Sequence, residues 1–571
     1  MRLMIIGIIA FGLATLAMVI ADGRLLRTLG VASLWGGDVK QVRFTTSNWI
    51  PNQSLDEIII PMPQGHWKTM SGFPSYASLE FPLPQHTSIE EGRLVLEFSL
   101  QMPPSGGGAI RVMINNDKRA DLLLDHSQKK YRLLIELNDN DVQQEQLLIS
   151  LSTDGYGASG ECPDDRSRVA VIEITPKTRL ELQLAKPIEH PADAAILAGN
   201  PIRLLVSDQA AQRARERLLA LANKLDQGGV DVQFVADEEF SKQIAIRVDP
   251  KTSEARFDQR TKQIIVSGPR DAALLLSNLR KKNHPAPSVK NNQTAISVEL
   301  FGASIRAKHF RHEVKWRIAY ALKDMPKGKA PGQFDLNIFH SLVPNRSKNL
   351  LSVIFNDNLL HSMTAGEQKN MLTQNILLPL DKTRLENVIE VSILTNEDRI
   401  GVCNPGREAL AQLLKASAVT DFQTLSAKRF ESIPGDISAT GQLQLYVPHK
   451  LQAPGYHDSL LVLRRVTPSK TKIISSEAPI TGARATIIPL DLFRAEIEKY
   501  LDEGALTGSS FEKNGQSSRI WIAAAASVLG TADPAAQFAP LTRGLANKIG
   551  ASHQRGVVII LQLPPSKDSA A

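Results

Sequence analysis

At 571 residues, with 43% hydrophobic and 22% charged side chains, the chain is too long for one core and too apolar for a disordered polymer. Its net charge of +7 is carried by lysines and arginines spread along the sequence. That excludes the basic stripe of a dedicated nucleic-acid protein and reads as a solvated surface.

The N-terminus comes first in chain order. Arg2 precedes an uncharged apolar run from Leu3 to Ala21, and Asp22 and Arg24 close it. Two readings stand. One is a signal peptide cut after Val19-Ile20-Ala21, where the residues are small or short. The other is an uncleaved signal anchor, since the run is nearly long enough to span a bilayer. Both place the rest of the chain outside the cytoplasm. Ile522–Ala526 and Val557–Leu561 are too short to span, so no C-terminal membrane anchor is expected.

Residues 22–74 read as a lead-in interrupted by Pro51, Pro61 and Pro63, with Ile58–Ile60 as one short edge strand. Residues 75–190 read as a β-sandwich or jelly roll. Its strands are Leu94–Phe98, Ile110–Ile114, Tyr131–Ile135, Leu147–Leu151 and Val169–Ile174, separated by Gly/Pro turns. Residues 200–285 change texture. Strand Ile202–Val206 is followed by Asp208 as an N-cap, a helix over Gln209–Lys224 and further short strands. That alternation predicts a flavodoxin-like α/β domain with a mainly parallel sheet. Residues 305–430 predict a second β-sandwich with strands Trp316–Tyr320, Phe334–Ile338, Leu351–Phe355, Ile376–Leu380 and Val388–Leu394. Residues 435–563 predict a second α/β domain, and 564–571 a mobile tail. The fold class is therefore multidomain β and α/β, with two sandwiches alternating with α/β domains.

The two sandwiches look like copies. Ile110-Arg111-Val112-Met113-Ile114-Asn115-Asn116-Asp117 matches Leu351-Ser352-Val353-Ile354-Phe355-Asn356-Asp357-Asn358 at an offset of 241 residues, and the only two cysteines, Cys162 and Cys403, keep that offset. Asn115-Asn116 and Asn356-Asp357 read as hairpin turns. In an oxidising compartment Cys162 and Cys403 are candidates for one disulfide. Two separate buried thiols are the alternative.

Enzyme signatures fail in turn. Gly328-Lys329 lacks the upstream glycine of a P-loop. No G-x-G-x-x-G follows the Ile202 strand, so a nucleotide site there is not expected. His312-Glu313 is not continued into a zinc-protease helix, and no G-x-S-x-G elbow occurs. No catalytic residue, metal site or cofactor is assigned. Saccharides present apolar C–H faces that suit aromatic rings flanked by polar groups. On that ground Trp67, Tyr76, Tyr156, Trp316 and Tyr320 are carbohydrate-binding candidates, and Trp316 and Tyr320 share strand parity.

The domain order behind a signal sequence resembles the BcsB family of cellulose synthase regulatory proteins over roughly residues 75–430. The resemblance is carried by Ile110–Asp117 with Gly160-Glu161-Cys162-Pro163-Asp164, and by Leu351–Asn358 with Val402-Cys403-Asn404. It implies a non-catalytic periplasmic subunit at the bacterial inner membrane. Such a subunit partners a glycan synthase catalytic subunit and guides the nascent β-glucan outward. The family is commonly labelled as binding cyclic di-GMP, but no PilZ-type arginine motif is present here. The chain also departs from the family in lacking an apolar C-terminal helix. The competing reading is a periplasmic polysaccharide-processing enzyme with accessory sandwiches. An envelope structural protein is a third.

Overall fold

The computed structural model describes residues 39–44, 57–62, 68–72, 74–102, 106–156, 170–198, 201–207, 209–236, 244–277, 293–310, 313–341, 348–365, 370–396, 409–426, 429–475, 483–489, 492, 511–513, 516–524, 537–540 and 557–563. The chain divides into two compact units. One holds residues 1–83 and 88–187; the other holds 84–87 and 188–571.

The first unit is a two-sheet β structure. Its strands are β1 (Val39–Phe44), β2 (Glu57–Pro61), β3 (Thr69–Ser71), β4 (Ser75–Pro82), β5 (Ile89–Gln101), β6 (Gly107–Ile114), β7 (Asp117–Leu124), β8 (Lys130–Glu136), β9 (Gln146–Tyr156), β10 (Val171–Ile174) and β11 (Arg179–Leu184). One sheet has the order β1-β8-β5-β10-β3, with β11 pairing both β5 and β2; the other has the order β4-β9-β6-β7. Strands β1 to β3 belong to the stretch read as a lead-in. Ile58 and Ile60 are buried there and pair with β11.

Apolar alternation decides which face is buried. Leu79 and Phe81 on β4, Ile110, Val112 and Ile114 on β6, and Leu147, Ile149 and Leu151 on β9 are all buried. On the larger sheet the charged groups satisfy one another. Glu97 takes Arg132 Nε at 3.0 Å, and Glu181 takes Arg93 Nε at 2.6 Å and Arg179 Nε at 2.8 Å.

The second unit opens with an α/β segment. Strands β12 (Ile202–Val206), β13 (Val232–Ala236), β14 (Ala245–Val248), β15 (Arg256–Asp258) and β16 (Gln263–Val266) form a sheet of order β13-β12-β14-β16-β15. All its pairings are parallel except that of the edge strand β15. The helix starts later than expected, at Gln212–Gln227, because Ala211 is still extended (φ −61°, ψ 154°). Asp208, the expected N-cap, lies outside the described residues. Leu218, Leu221 and Ala222 are buried as the pattern requires.

Next come β17 (Ala295–Ser297), β18 (Lys308–Phe310), β19 (Glu313–Ala321), β20 (Ala330–His340), β21 (Lys348–Phe355), β22 (Asn358–Ala365), β23 (Met371–Leu377), β24 (Glu386–Asn396), β25 (Ala409–Leu413) and β26 (Ala418–Gln423). Their sheets run β17-β26-β20-β25-β18, with β23 on β20, and β19-β24-β21-β22. This repeats the strand pairings of the first unit except for β1, which pairs parallel with β8 and has no counterpart on β23. The long strand β20 stands where β5 does, flanked by β23 as β5 is by β8, and by β26 and β25 as β5 is by β11 and β10. One buried core takes residues from both sheets, among them Phe334 and Ile338 from one and Trp316, Val353 and Val391 from the other. The duplication visible at an offset of 241 residues is a duplication of a β-sandwich.

The hairpins carry the same signature. Asn115 and Asn116 have φ of 49° and 72°, and Asn356 and Asp357 have 45° and 70°, the left-handed pair of a two-residue hairpin turn.

A last sheet combines β27 (Gln442–Tyr446), β28 (Lys472–Ser475), β29 (Ala483–Pro489), β30 (Phe511–Lys513), β31 (Gln516–Ala524), β32 (Gln537–Pro540) and β33 (Val557–Leu563). Its β27, β28 and β29 pair in parallel, and β33, β31, β30 and β32 extend it antiparallel. Within this unit Arg215 donates to the carbonyls of Val447 (3.1 Å) and Pro448 (2.9 Å), and Phe234 stacks on Tyr456.

Gly328 joins the second sandwich to the Ile433–Thr440 helix. Its φ is +64°, and a Cβ there would overlap the backbone of Gly435, 2.6 Å from its Cα. Gly328→Ala is therefore strained twice, by φ and by contact with backbone that cannot rotate away. We expect a loss of about 2–4 kcal/mol, read as faster hydrogen exchange in the Ile433–Thr440 helix.

Candidate carbohydrate platform

The outward face of the β4-β9-β6-β7 sheet carries the candidate site. Across its four strands one register row reads Tyr76, Ser152, Arg111 and Asp121. Ile110 and Val112 beside Arg111, and Leu151 and Thr153 beside Ser152, are buried, so the row points outward. Tyr76 is 76% exposed, an unusual state for so large an apolar ring. Leu123, at 79% exposure, ends the adjoining row of Asp154 and Ala109. Ser78, Ser150, Met113 and Lys118 form the row on the other side. The strand backbone beneath Tyr76 is pinned by Ser75 Oγ and Thr153 Oγ1, 2.6 Å apart.

Arg111 Nε donates to Asp121 Oδ1 at 3.0 Å, and Lys118 Nζ pairs with Asp121 Oδ2. The Lys118 ammonium, then the Arg111 guanidinium, hold the Asp121 carboxyl below the usual carboxylate range. Asp121 therefore stays ionised through mildly acid pH. With strands about 4.8 Å apart, it offers a ring and a line of hydrogen-bonding groups spanning about 14 Å. Such an arrangement can stack one sugar ring and bind hydroxyls beyond it. It holds no nucleophile–base pair.

The second copy has a different row at the matching positions: Lys315, Ser392, Ser352 and Ser362. Ser352 and Ser392 hydroxyls lie 2.7 Å apart. The aromatic ring is present in the first copy alone.

Trp316 and Tyr320 correct the sequence expectation. They share a face, but it is the inner one, where Trp316 is 2% and Tyr320 6% exposed. Glu313, Lys315 and Arg317 occupy the alternate, outer positions of β19, so the apolar parity turns inward. Neither ring is open to a sugar. Trp67, Cys162 and Cys403 lie outside the described residues. Tyr156 pairs with Gly107 at the end of β9, its side chain outside the described set.

A second polar cluster has no local sequence signal because its members are remote in the chain. His86, His190 and Asp193 gather in the second unit, and Asp193 has no exposed side-chain surface. Among the described helices none is long and apolar enough to cross a membrane as a helix. The apolar run at residues 3–21 lies outside the described residues.

No protein-family model matches the chain, and no curated protein matches it. Solved structures with some likeness include three sugar-active or sugar-binding proteins. The CBM36-1 domain of a multidomain xylanase from the hindgut metagenome of Trinervitermes trinervoides is 10% identical, covering 23% of this chain and 98% of that one (TM-score 0.14). The CBM22-1–CBM22-2 tandem domain of Xyn10C from Paenibacillus barcinonensis is 8% identical, covering 65% and 100% (TM-score 0.14). The GH26-CBM35 β-(1,4)-mannanase of Podospora anserina is 9% identical, covering 32% and 42% (TM-score 0.14). Likenesses at this level carry no argument, and the duplicated β-sandwich rests on the strand pairings alone.

Proposed function

We propose that the chain is a non-catalytic glycan-binding protein and that the β4-β9-β6-β7 face of its first sandwich is the binding platform. The observation that carries this reading is the register row of an exposed Tyr76 with Ser152, Arg111 and Asp121. An exposed ring on a rigid sheet meets the apolar face of a pyranose without loss of side-chain order. The paired Arg111 and Asp121 then meet hydroxyls with one donor and one acceptor.

The finer reading follows the resemblance to the BcsB family. The chain is a periplasmic component at the bacterial inner membrane, partner to the catalytic subunit of a cellulose-type exopolysaccharide synthase, and it guides the emerging β-glucan. No cofactor is needed for that role.

The test is co-sedimentation with insoluble cellulose. The wild-type chain binds, and Tyr76→Ala lowers the association constant about tenfold, the loss of one stacking contact. Equal binding by both proteins removes the platform. Release of soluble sugar from β-glucan moves the protein to the enzyme class.

A further inference from the structure

We propose that the Pro84–Thr87 loop is held by an acid-released clasp, built from the buried carboxylate of Asp193 and the stacked imidazoles of His86 and His190. The proposal stands apart from the glycan reading and shares no residue with it.

Asp193 lies in the first turn of the Pro191–Ala198 helix, fully buried. Its Oδ1 accepts the Gln85 N–H at 3.0 Å and His86 Nδ1–H at 3.2 Å. Its Oδ2 accepts the His86 N–H at 3.0 Å and the Thr87 hydroxyl at 2.9 Å. One carboxylate thus fixes three consecutive residues of the loop. The His86 ring, held by its Nδ1, lies flat on His190 with centroids 3.6 Å apart and planes 17° from parallel.

Three side chains of metal-binding type within 4.8 Å invite a metal, and the geometry refuses it. Both oxygens of Asp193 already take two donors each. Nearly parallel rings also aim their in-plane lone pairs alongside each other rather than at one point.

Proton placement supplies the switch. His190 Nδ1 accepts the Ala192 N–H at 3.3 Å, so neutral His190 carries its proton on Nε2. A second proton must go on Nδ1, which ends that hydrogen bond. It also sets a cation against the face of His86 and at the N-terminal end of a helix, where the macrodipole is positive. Burial, then His86, push the His190 pKa below its ordinary 6.5, while Asp193 opposes them. Those two side chains are the titratable groups that act on it.

The sign follows. The closed clasp favours the neutral His190 ring, so this contribution is fully present above about pH 6.5 and is lost as pH falls below that value. Below it, His190 takes its proton by turning off His86, and the His86 imidazole loses the ring that packs it against Asp193.

Hydrogen exchange on the full chain tests this at about pH 7.5 and 5.5, with times corrected for intrinsic rates. The Gln85 and His86 amides should lose protection about tenfold at the lower pH, while the Gln212–Gln227 helix keeps its own. His190→Phe keeps a flat ring and has no proton to gain, so its loop should stay protected at both pH values. Equal wild-type protection at the two pH values overturns the proposal, and so does a His190→Phe loop that still opens in acid. If that variant fails to fold, the His190 ring titration in the wild-type chain decides: a midpoint at or above 6.5 sinks the clasp. Zinc that restores protection at low pH, reversed by a chelator, also sinks it, in favour of a metal centre.

Discussion

Trp316→Ala will destabilise the second sandwich by about 3–5 kcal/mol, the range for deleting a large aromatic ring from a packed core. Trp316 is buried between the two sheets of its domain, in line with Val391 and Val353 on the neighbouring strands. Its far side is covered by Lys308, whose ammonium sits 5.2 Å from the ring centroid. Burial pushes the Lys308 pKa down, and its ammonium donates to the Lys315 carbonyl at 2.8 Å. The chain has several domains, so one unfolding midpoint does not define this loss. Native-state hydrogen exchange at Ile318 and Val391 reads it locally. The conservative variants sharpen the expectation. The Trp316 indole N–H and the Tyr320 hydroxyl have no hydrogen-bond partner among the described residues, and burial pushes the Tyr320 pKa up. A buried polar group without a partner costs about 1–3 kcal/mol. Tyr320→Phe should therefore be neutral or stabilising, and Trp316→Phe should cost far less than Trp316→Ala. A Tyr320→Phe variant that lost 2 kcal/mol or more would reveal a partner for its hydroxyl and overturn this account of the core.

That pair of tyrosine and tryptophan shows what is legible in the sequence. Strand parity sorts the aromatics correctly once charges are counted along with rings. On β19 the charged parity is Glu313, Lys315 and Arg317, so Trp316 and Tyr320 go inward. On β4 the apolar parity is Ala77, Leu79 and Phe81, so Tyr76 stands with Ser78 and Glu80 and goes outward. The signal is present for both, and it lies in the neighbours rather than in the ring itself.

The duplication is readable because a two-residue turn with both residues at positive φ admits few side chains. Strands β7 and β22, the return arms of both hairpins, are not. Each opposes a register shift, at Val112/Met113 and at Val353/Ile354, which breaks the period-two pattern. Strand β11 is hidden by Glu181, a buried charge held between its strand neighbour Arg179 and the distant Arg93. The histidine cluster joins residues about a hundred positions apart, and no local pattern records such a meeting.

The matched turn asparagines give the second large effect, and they couple the repeat to its stability. Asn356 is buried and does more than turn the chain. Its Oδ1 accepts the Val388 N–H at 2.9 Å, its own N–H reaches the Val388 carbonyl at 3.0 Å, and its Nδ2 donates to the Lys382 carbonyl and to Asn387 Oδ1, each at 2.9 Å. Asn115 repeats the clamp on Leu148: its Oδ1 accepts the Leu148 N–H at 3.0 Å, and its own N–H donates to the Leu148 carbonyl at 2.8 Å. In both copies the turn residue thus stitches the hairpin to the strand beside it. Asn356→Ala forces a β-carbon residue into the left-handed region without a side-chain bond, at about 1–2 kcal/mol, and leaves the Val388 N–H unpaired, at about 1–3 kcal/mol more. Asn356→Gly keeps the turn and loses only the clamp, so it should fall between wild type and alanine.

The aspartate variants separate the copies. Asn115 Nδ2 donates to Asp141 Oδ1 at 3.2 Å, and Asp141 is buried and also bound by Arg119 at 2.7 Å. Asn115→Asp therefore sets two carboxylates side by side, whereas Asn356→Asp faces the neutral amide oxygen of Asn387 rather than a second charge. The first variant should be the more damaging at neutral pH. It should also recover as pH falls and one of the paired acids takes a proton, because the charge pair raises a carboxyl pKa in the folded state and stability then rises toward acid. Hydrogen exchange at Leu148 and Val388 measures both arms. Equal losses for the two aspartate variants, with no recovery in acid for Asn115→Asp, would show that the clamps differ from the contacts described.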